Sequence, residues 1–342
     1  MSISIEEFFE LRKTLPIADV RSEGEFEAGH IAGAVNIPIL NNHERVLVGT
    51  DYKQKGQLEA IKTGFRLVGP RLLEIINEAE KVTPYKELLV HCWRGGMRSS
   101  NFCQFVGMAG IKTHALKGGY KAYRYKALAS FAQPLRLVLL TGCTGSGKSE
   151  ILRMLKTKGA QVLDLETLAS HKGSAFGGLF MPPQPTTEQF QNNLFEALQT
   201  LDTSRPIWVE DESIAIGQLF LPRDFWLQMN KSPLVQLSVA KEIRVHRLVN
   251  EYGAAPPEEF LQIMQKITKR LGGQNFNLAR ERLMARDMAG VINLLLTYYD
   301  KAYLHSIDKR KERLAKTICW NGEEPERLVN ELILHSNVQL LR

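Results

Sequence analysis

The chain is short of the features that mark secreted, fibrous or membrane-spanning proteins. Only four of its 342 residues are cysteine: Cys92, Cys103, Cys143 and Cys319. No two have the CxxC spacing, which argues against a zinc ribbon and a disulfide framework and points to a reducing, cytoplasmic compartment. Long hydrophobic runs are missing as well. Leu135–Leu140 is interrupted by Arg136 and Val291–Leu296 by Asn293, and both are far too short to cross a bilayer, so no membrane association is expected. The opening segment MSISIEEFFELRK carries acids where a signal peptide would carry a basic region and then an apolar one. Internal repeats and low-complexity tracts are absent too.

What remains is an ordinary globular composition, 44% hydrophobic and 24% charged, in a length that suits two domains. Net charge is 44 − 37 = +7. Most of the excess lies in residues 241–316, where 15 Lys/Arg face 9 Asp/Glu. A balance of that size permits a polyanionic partner without requiring one.

Residues 1–130 alternate between short apolar strands and helices. Strands are predicted at Ile17–Val20, Glu87–His91 and Thr113–Leu116, and helices at Arg71–Lys81, Ser99–Gly107 and Tyr120–Ser130. That alternation implies a parallel sheet with crossover helices. Pro134 precedes a new strand at Leu135, so the boundary is placed there: one domain over 1–130 and a second over 131–342. The second half opens as strand, glycine loop and helix, with further strands at Gln161–Leu165, Ile207–Glu210 and Leu234–Val239. From Lys241 it turns helical. Phe260, Ile263, Met264, Ile267 and Leu271 share one face of a predicted helix that Gly272-Gly273 ends, and further helices are expected over Leu278–Met288 and Val291–His305.

Two glycine-rich loops carry the chemistry. In LLVHCWRGGMRSS, Cys92 follows a strand and precedes a helix. Backbone N–H groups of Trp93–Arg98 then converge on an oxyanion, and the same field favours a thiolate. Gly95 and Gly96 let the loop curl. Arg94 sits on it, and Arg98 closes a Cys-x5-Arg cradle as a bidentate partner for oxygen anions. The second loop, Gly142-Cys143-Thr144-Gly145-Ser146-Gly147-Lys148-Ser149, is a complete G-x4-G-K-S. Its amides wrap a diphosphate, Lys148 reaches the terminal phosphate, and Ser149 can hold Mg²⁺. In TrpValGluAspGluSer, Asp211 is the first candidate for the Mg²⁺ shell, with Glu210 or Glu212 next. His171-Lys172-Gly173 opens a basic, glycine-rich stretch suited to phosphate or RNA. Arg244 and Arg247, three apart on one helix, are placed as a lid over the phosphates.

The first loop, with Asp19-Val20-Arg21, Glu25-Phe26, Gly29-His30-Ile31, Gly33–Pro38 and Gly118-Gly119, resembles the rhodanese-like domains, whose loop cysteine carries sulfur or selenium as a persulfide-type adduct. One departure stands out. The common sulfurtransferase loop has Arg five positions after Cys, where this chain has Met97, and the longer loop is similar to that of phosphatases built on the same fold. Cys-x-Arg-Gly-Gly-x-Arg-Ser, Gly64, AspLeuGlu at 164–166, HisLysGlySerAlaPheGly, ValGluAspGluSer, LysArgLeuGly at 269–272 and TyrTyrAsp at 298–300 extend the likeness over the whole chain, which with them resembles the tRNA 2-selenouridine synthase family.

The resemblance implies a fold class of α/β: a rhodanese-like parallel-sheet domain, then a P-loop NTPase-like α/β domain with a helical C-terminal region. It also implies a selenotransferase acting on wobble 2-thiouridine through an S-geranyl intermediate. Geranyl diphosphate and selenophosphate would be co-substrates, with Mg²⁺ possible, no tightly bound cofactor, and selenium carried on Cys92 as a selenylsulfide. The partners implied are the anticodon stem-loop of tRNA and a selenophosphate-producing enzyme. Gly64, His171, Lys172, Arg244, Arg247, Lys269 and Arg270 are expected to contact tRNA or substrate, and one of Tyr298, Tyr299 and Tyr303 to stack on the base. Two other readings stay open: a phosphatase or nucleotide-dependent kinase with a rhodanese-fold domain, and a non-catalytic RNA-binding module. The favoured reading requires a thiol at position 92 that solvent can reach.

Overall fold

The structure, a computed structural model, describes residues 1–83 and 85–338. Its contacts divide the chain into two units. One comprises Met1–Ser130 with Gln191–Glu196, and the other comprises Phe131–Phe190 with Ala197–Arg342. The six residues 191–196 lie within the helix Thr187–Gln199, so they group with the first unit rather than with their neighbours in sequence.

The first unit is built on a five-stranded parallel sheet. Its strands are β1 (Ser2–Ile3), β2 (Ile17–Asp19), β3 (Ala34–Asn36), β4 (Glu87–His91) and β5 (Lys112–Leu116), in the spatial order β1-β5-β4-β2-β3. Ala18 pairs with Val90, and Leu89 with His114. Strands covered on both faces should be apolar throughout, and β2 and β4 are buried almost end to end. Phe102 and Val106, from the helix Met97–Met108, complete the core with Ile75 and Ala79 from Leu72–Val82. The chain leaves β2 toward one edge of the sheet and β4 toward the other. The loops after these two strands therefore flank the crevice where open parallel sheets bind ligands. Cys92 and Arg21 lie on those loops. A helical pair, Asn42–Gln54 and Gln57–Val68, sits between β3 and β4 without having been predicted.

The second unit repeats the device. Strands β6 (Leu137–Gly142), β7 (Gln161–Leu163), β8 (Ile207–Glu210), β11 (Leu234–Ser238) and β12 (Leu314–Cys319) form a parallel sheet ordered β12-β11-β6-β8-β7. A small antiparallel hairpin, β9 (Ala215–Ile216) and β10 (Leu219–Phe220), stands apart from it. The direction of winding reverses at β6, whose carboxyl end is the G-x4-G-K-S loop. Val138, Leu140, Ile151, Leu155, Trp208, Leu237 and Trp320 fill the sheet core. A second core of Phe260, Met264, Leu283, Val291 and Leu295 belongs to the helices. The single helix expected across Phe260–Leu271 is two, Pro257–Lys266 and Thr268–Leu271, because Ile267 leaves helical geometry at φ −108°. Phe260, Met264, Ile267 and Leu271 are buried all the same, and Ile263 packs partly buried against them.

Candidate functional site

The cysteine loop is shaped by glycines that no other residue can replace. Gly95 has φ +67°, and a Cβ there would stand 2.7 Å from the Leu116 carbonyl. At Gly119, with φ +58°, it would stand 2.3 Å from the Cys92 carbonyl. Backbone thus packs on backbone around Cys92, held by hydrogen bonds from the Tyr120 and Lys121 amides to the Cys92 and Trp93 carbonyls. Among the described residues, the amides of Trp93–Met97 donate to no backbone carbonyl; those of Arg94 and Gly96 serve the Cys92 sulfur, and the row as a whole faces an anion held at the thiol. Arg94, Gly95 and Gly96 are exposed.

The thiol lies on the floor of this loop. Cys92 retains 3% exposure, against the expectation of an open position, because the loop folds over it while its own residues remain in solvent. Burial pushes the thiol up, but hydrogen bonding from the Ser99 side chain and the amides of Ser99, Arg94 and Gly96 outweighs that. The net shift favours thiolate. Ser99 Oγ lies 3.3 Å from Cys92 Sγ.

Arg98 departs from the expected geometry. Its two terminal nitrogens grip Glu25 at 2.6 and 3.1 Å, so the bidentate face foreseen for an oxyanion is taken by a carboxylate. Glu25 reaches it because it is the third residue of the helix Glu23–Ala28, where its carboxylate also caps the Ser22 amide. Two of five guanidinium donors are spent, and the rest remain for a ligand. Asp19 and Arg21 form a wholly buried pair beneath the loop, and Tyr120 lies under the Arg21 guanidinium. Gly64 is not at the thiol. It lines an apolar pocket of about 150 Å³ beside Met97 and Arg98.

In the second unit, Gly145 and Gly147 take φ +80° and +83°, and the helix Lys148–Thr157 starts directly after them. Thr144, Ser146 and the glycines line a cavity of about 1060 Å³ with Lys148, Ser149, Lys172, Asp211, Arg247 and Arg310. Lys148 donates to the Gly142 carbonyl at 2.8 Å, a position from which it can swing to a phosphate. Asp211 does not face Ser149 as a metal shell. Arg310 holds it bidentately at 2.7 and 2.8 Å, and Thr141 donates to it at 2.6 Å. Ser149 donates instead to Glu166 at 2.6 Å. No cluster of three or more metal-binding His, Cys, Asp or Glu side chains occurs among the described residues. A hydroxyl with one carboxylate still fits Mg²⁺, which takes its other ligands from phosphate and water.

Burial and the neighbouring Glu166 raise Glu212 to about 7, against the pull of Lys148. Burial, with Asp164 and Glu166 nearby, also pushes Glu210 well above the usual carboxylate range. Gly173, at φ +67°, leaves room for the Glu212 carboxylate, which a Cβ would meet at 2.3 Å.

The arginine pair is split. Arg244 is buried and bidentate to Asp300 at 2.8 Å on both nitrogens, which makes it a brace and not a lid. Arg247 borders the cavity, bonded to Glu150 at 2.5 Å and lying over Trp320. Lys172 is paired with Glu251. His171 and Arg270 line a separate neighbouring cleft of about 860 Å³, and Lys269 is exposed and lines neither. Tyr298, Tyr299 and Tyr303 all reach the phosphate cavity, the first two also packing on the helical core. Arg310 and Asp300 were not assigned roles from sequence, since neither lies at a motif spacing that marks an ion-pair partner.

Comparison with known proteins follows this division. The family described as "tRNA 2-selenouridine synthase AAA domain" matches residues 135–329, and the rhodanese-like domain family matches residues 4–126. Proteins named tRNA 2-selenouridine synthase align over nearly the full length. The one from Hahella chejuensis is 34% identical, covering 94% of this chain and 92% of its own. The one from Bdellovibrio bacteriovorus is 33% identical over 94% and 96%. That from Nitrosomonas europaea is 31% identical over 86% and 90%. No helix among the described residues is long and apolar enough to cross a membrane. The chain belongs to the tRNA 2-selenouridine synthase family.

Proposed function

We propose that the chain replaces the sulfur of wobble 2-thiouridine in tRNA by selenium, in two steps served by its two anion cradles. The observation that carries this reading is the contrast between them: one surrounds a thiol biased toward thiolate, and the other offers phosphate donors while its own thiol, Cys143, lies outside the cavity lining and is pushed up to about 11 by burial.

Sulfur on C2 of uracil departs poorly as sulfide, and alkylation turns it into the leaving group of a thiol. The phosphate loop would supply the alkyl group by binding geranyl diphosphate. Lys148 and the loop amides would stabilise the charge that gathers on diphosphate as the allylic C–O bond breaks. The chain has no Asp-rich DDxxD segment to do this. Leu248, Tyr252 and Tyr298 offer the isoprenoid an apolar wall of the same cavity. Ser149 and Glu166 would hold Mg²⁺, which adds countercharge there. The cysteine loop would bind selenophosphate, its oxygens on the loop amides not spent on the thiol and on the unused Arg98 donors. Lys266, Lys269 and Arg270 would track the backbone of the anticodon stem-loop, making affinity salt-dependent. A selenophosphate-producing enzyme would be the upstream partner.

The test is to incubate the protein with thiolated tRNA, geranyl diphosphate and selenophosphate, then digest and weigh the nucleosides. A 2-selenouridine mass that requires both co-substrates is expected. Its absence with folded protein, or RNA-indifferent turnover of ATP or an aryl phosphate in its place, would overturn the reading.

A further inference from the structure

The cysteine loop has more than a sulfur carrier needs. Reading onward from Cys92, the chain supplies five residues whose amides donate to no backbone carbonyl, then Arg98, then Ser99. Arg98 is locked by Glu25 in a fixed orientation with donors to spare, and the Ser99 hydroxyl sits 3.3 Å from Sγ. A loop of that length presents enough N–H groups for the three oxygens of a phosphoryl group with sulfur below them. Ser99 is placed to stabilise a thiolate both when it attacks and when it later leaves.

Electron counting points the same way. Selenium in selenophosphate is already at the selenide level, as sulfur is in a thiolate. Joining the two as a selenylsulfide, the adduct implied by resemblance, removes two electrons, and nothing in the proposed reaction accepts them. Attack at phosphorus needs no oxidant.

We propose that Cys92 attacks the phosphorus of selenophosphate, not its selenium, and becomes a phosphocysteine while hydrogen selenide is released beside the base. This rests on the function proposed above. The S–P bond forms as the P–Se bond of selenophosphate, taken as the Se-protonated dianion HSePO3²⁻, breaks, and that electron pair leaves on selenium as HSe⁻. Hydrogen selenide is a weak base, so it departs without a proton donor. It adds to C2 of the S-geranylated base, and collapse of the adduct expels the geranyl thiolate. The selenol proton moves to N3, giving the 2-selenocarbonyl, and the thiolate takes the proton released by the hydrolysis that follows. A water molecule then cleaves the S–P bond, returning phosphate and the Cys92 thiolate on which Ser99 closes. Atoms and charge balance with one water consumed, and no centre changes oxidation state. Cys92 is then the catalytic nucleophile, Arg98 and the loop amides hold the phosphoryl oxygens, and Glu25 is a positioning residue.

The experiment uses the full chain with selenophosphate labelled in parallel with ³²P or ⁷⁵Se, S-geranylated tRNA, and denaturing quench from milliseconds to minutes. The wild-type protein should carry ³²P and no ⁷⁵Se at Cys92, and Cys92→Ala should carry neither. Ser99→Ala should both acquire ³²P and, after a chase with unlabelled selenophosphate, lose it several-fold more slowly than the wild-type protein, because its thiolate is stabilised neither in attack nor in departure. Retention of ⁷⁵Se without ³²P at Cys92 would overturn the proposal. So would selenated tRNA appearing while the protein holds neither label at any time. Nucleoside analysis of the same samples reads the tRNA assignment separately: ³²P on Cys92 without 2-selenouridine would uphold the attack on phosphorus and refute the proposed substrate.

Discussion

The two units use one backbone device for different ends. Each places a glycine loop and a helix start at the carboxyl end of a strand where the winding of a parallel sheet reverses. Around Cys92 the device encloses a thiol, and hydrogen bonds bias that group toward the anion. Around Lys148 it encloses empty space, and Glu166 and Glu212 on the wall of that cavity are carboxyls pushed toward their neutral forms chiefly by burial. The lesson is that the loop supplies anion affinity, whereas the reaction class is set by the residue at its centre and the charges facing it.

That contrast can be broken residue by residue. Cys92→Ala should lower selenation by about a thousandfold or more while S-geranyl tRNA accumulates, because the nucleophile is lost and the phosphate loop is untouched. Nucleoside mass spectrometry reads both products. Lys148→Ala should slow geranyl transfer by about 10²- to 10³-fold, the usual loss for one charge-stabilising donor. It should spare selenation of tRNA supplied already geranylated. Arg244→Ala leaves Asp300 without its guanidinium and should destabilise the second unit by about 3 kcal/mol, seen in denaturant titration.

The pH dependence should separate the units as well. The Glu212 carboxyl is held at about 7 in the folded chain and near its ordinary value when unfolded. The folded state therefore binds the extra proton between those values, and stability falls as pH rises through that window. Glu212→Gln should remove about 2 kcal/mol of that decline between pH 5 and pH 8. The smallest effect is expected from Glu25→Gln. Its weaker hold on Arg98 should reduce selenation about tenfold, worth about 1.4 kcal/mol, through a higher KM for selenophosphate with geranylation unchanged.

Both loops were legible because glycine spacing between a strand and a helix is a local signal. Glu87–His91 and Ile207–Glu210 appear at their predicted bounds for a related reason: each is a short apolar run with turn residues on both sides. What escaped was long-range pairing. Nothing near Arg310 shows that it will hold Asp211, nor near Glu25 that it will hold Arg98, since these pairs are made 99 and 73 residues apart in sequence. Spacing alone made a lid of Arg244 and Arg247, but burial of Arg244 beside Asp300 decided otherwise. Strand β12 was overlooked because its burial alternates with exposed positions along a sheet edge, leaving no continuous apolar run. The helical pair before β4 was overlooked because its first helix is mostly polar.

The account stands or falls on the independence of the two cradles. Thiolated tRNA treated with Cys92→Ala protein and geranyl diphosphate would be recovered, then given Lys148→Ala protein with selenophosphate. Sequential treatment should restore 2-selenouridine, although neither variant yields it from thiolated tRNA alone. If the recovered tRNA carries no geranyl group, or if the second variant leaves a geranylated base unchanged, the two loops do not serve separate steps.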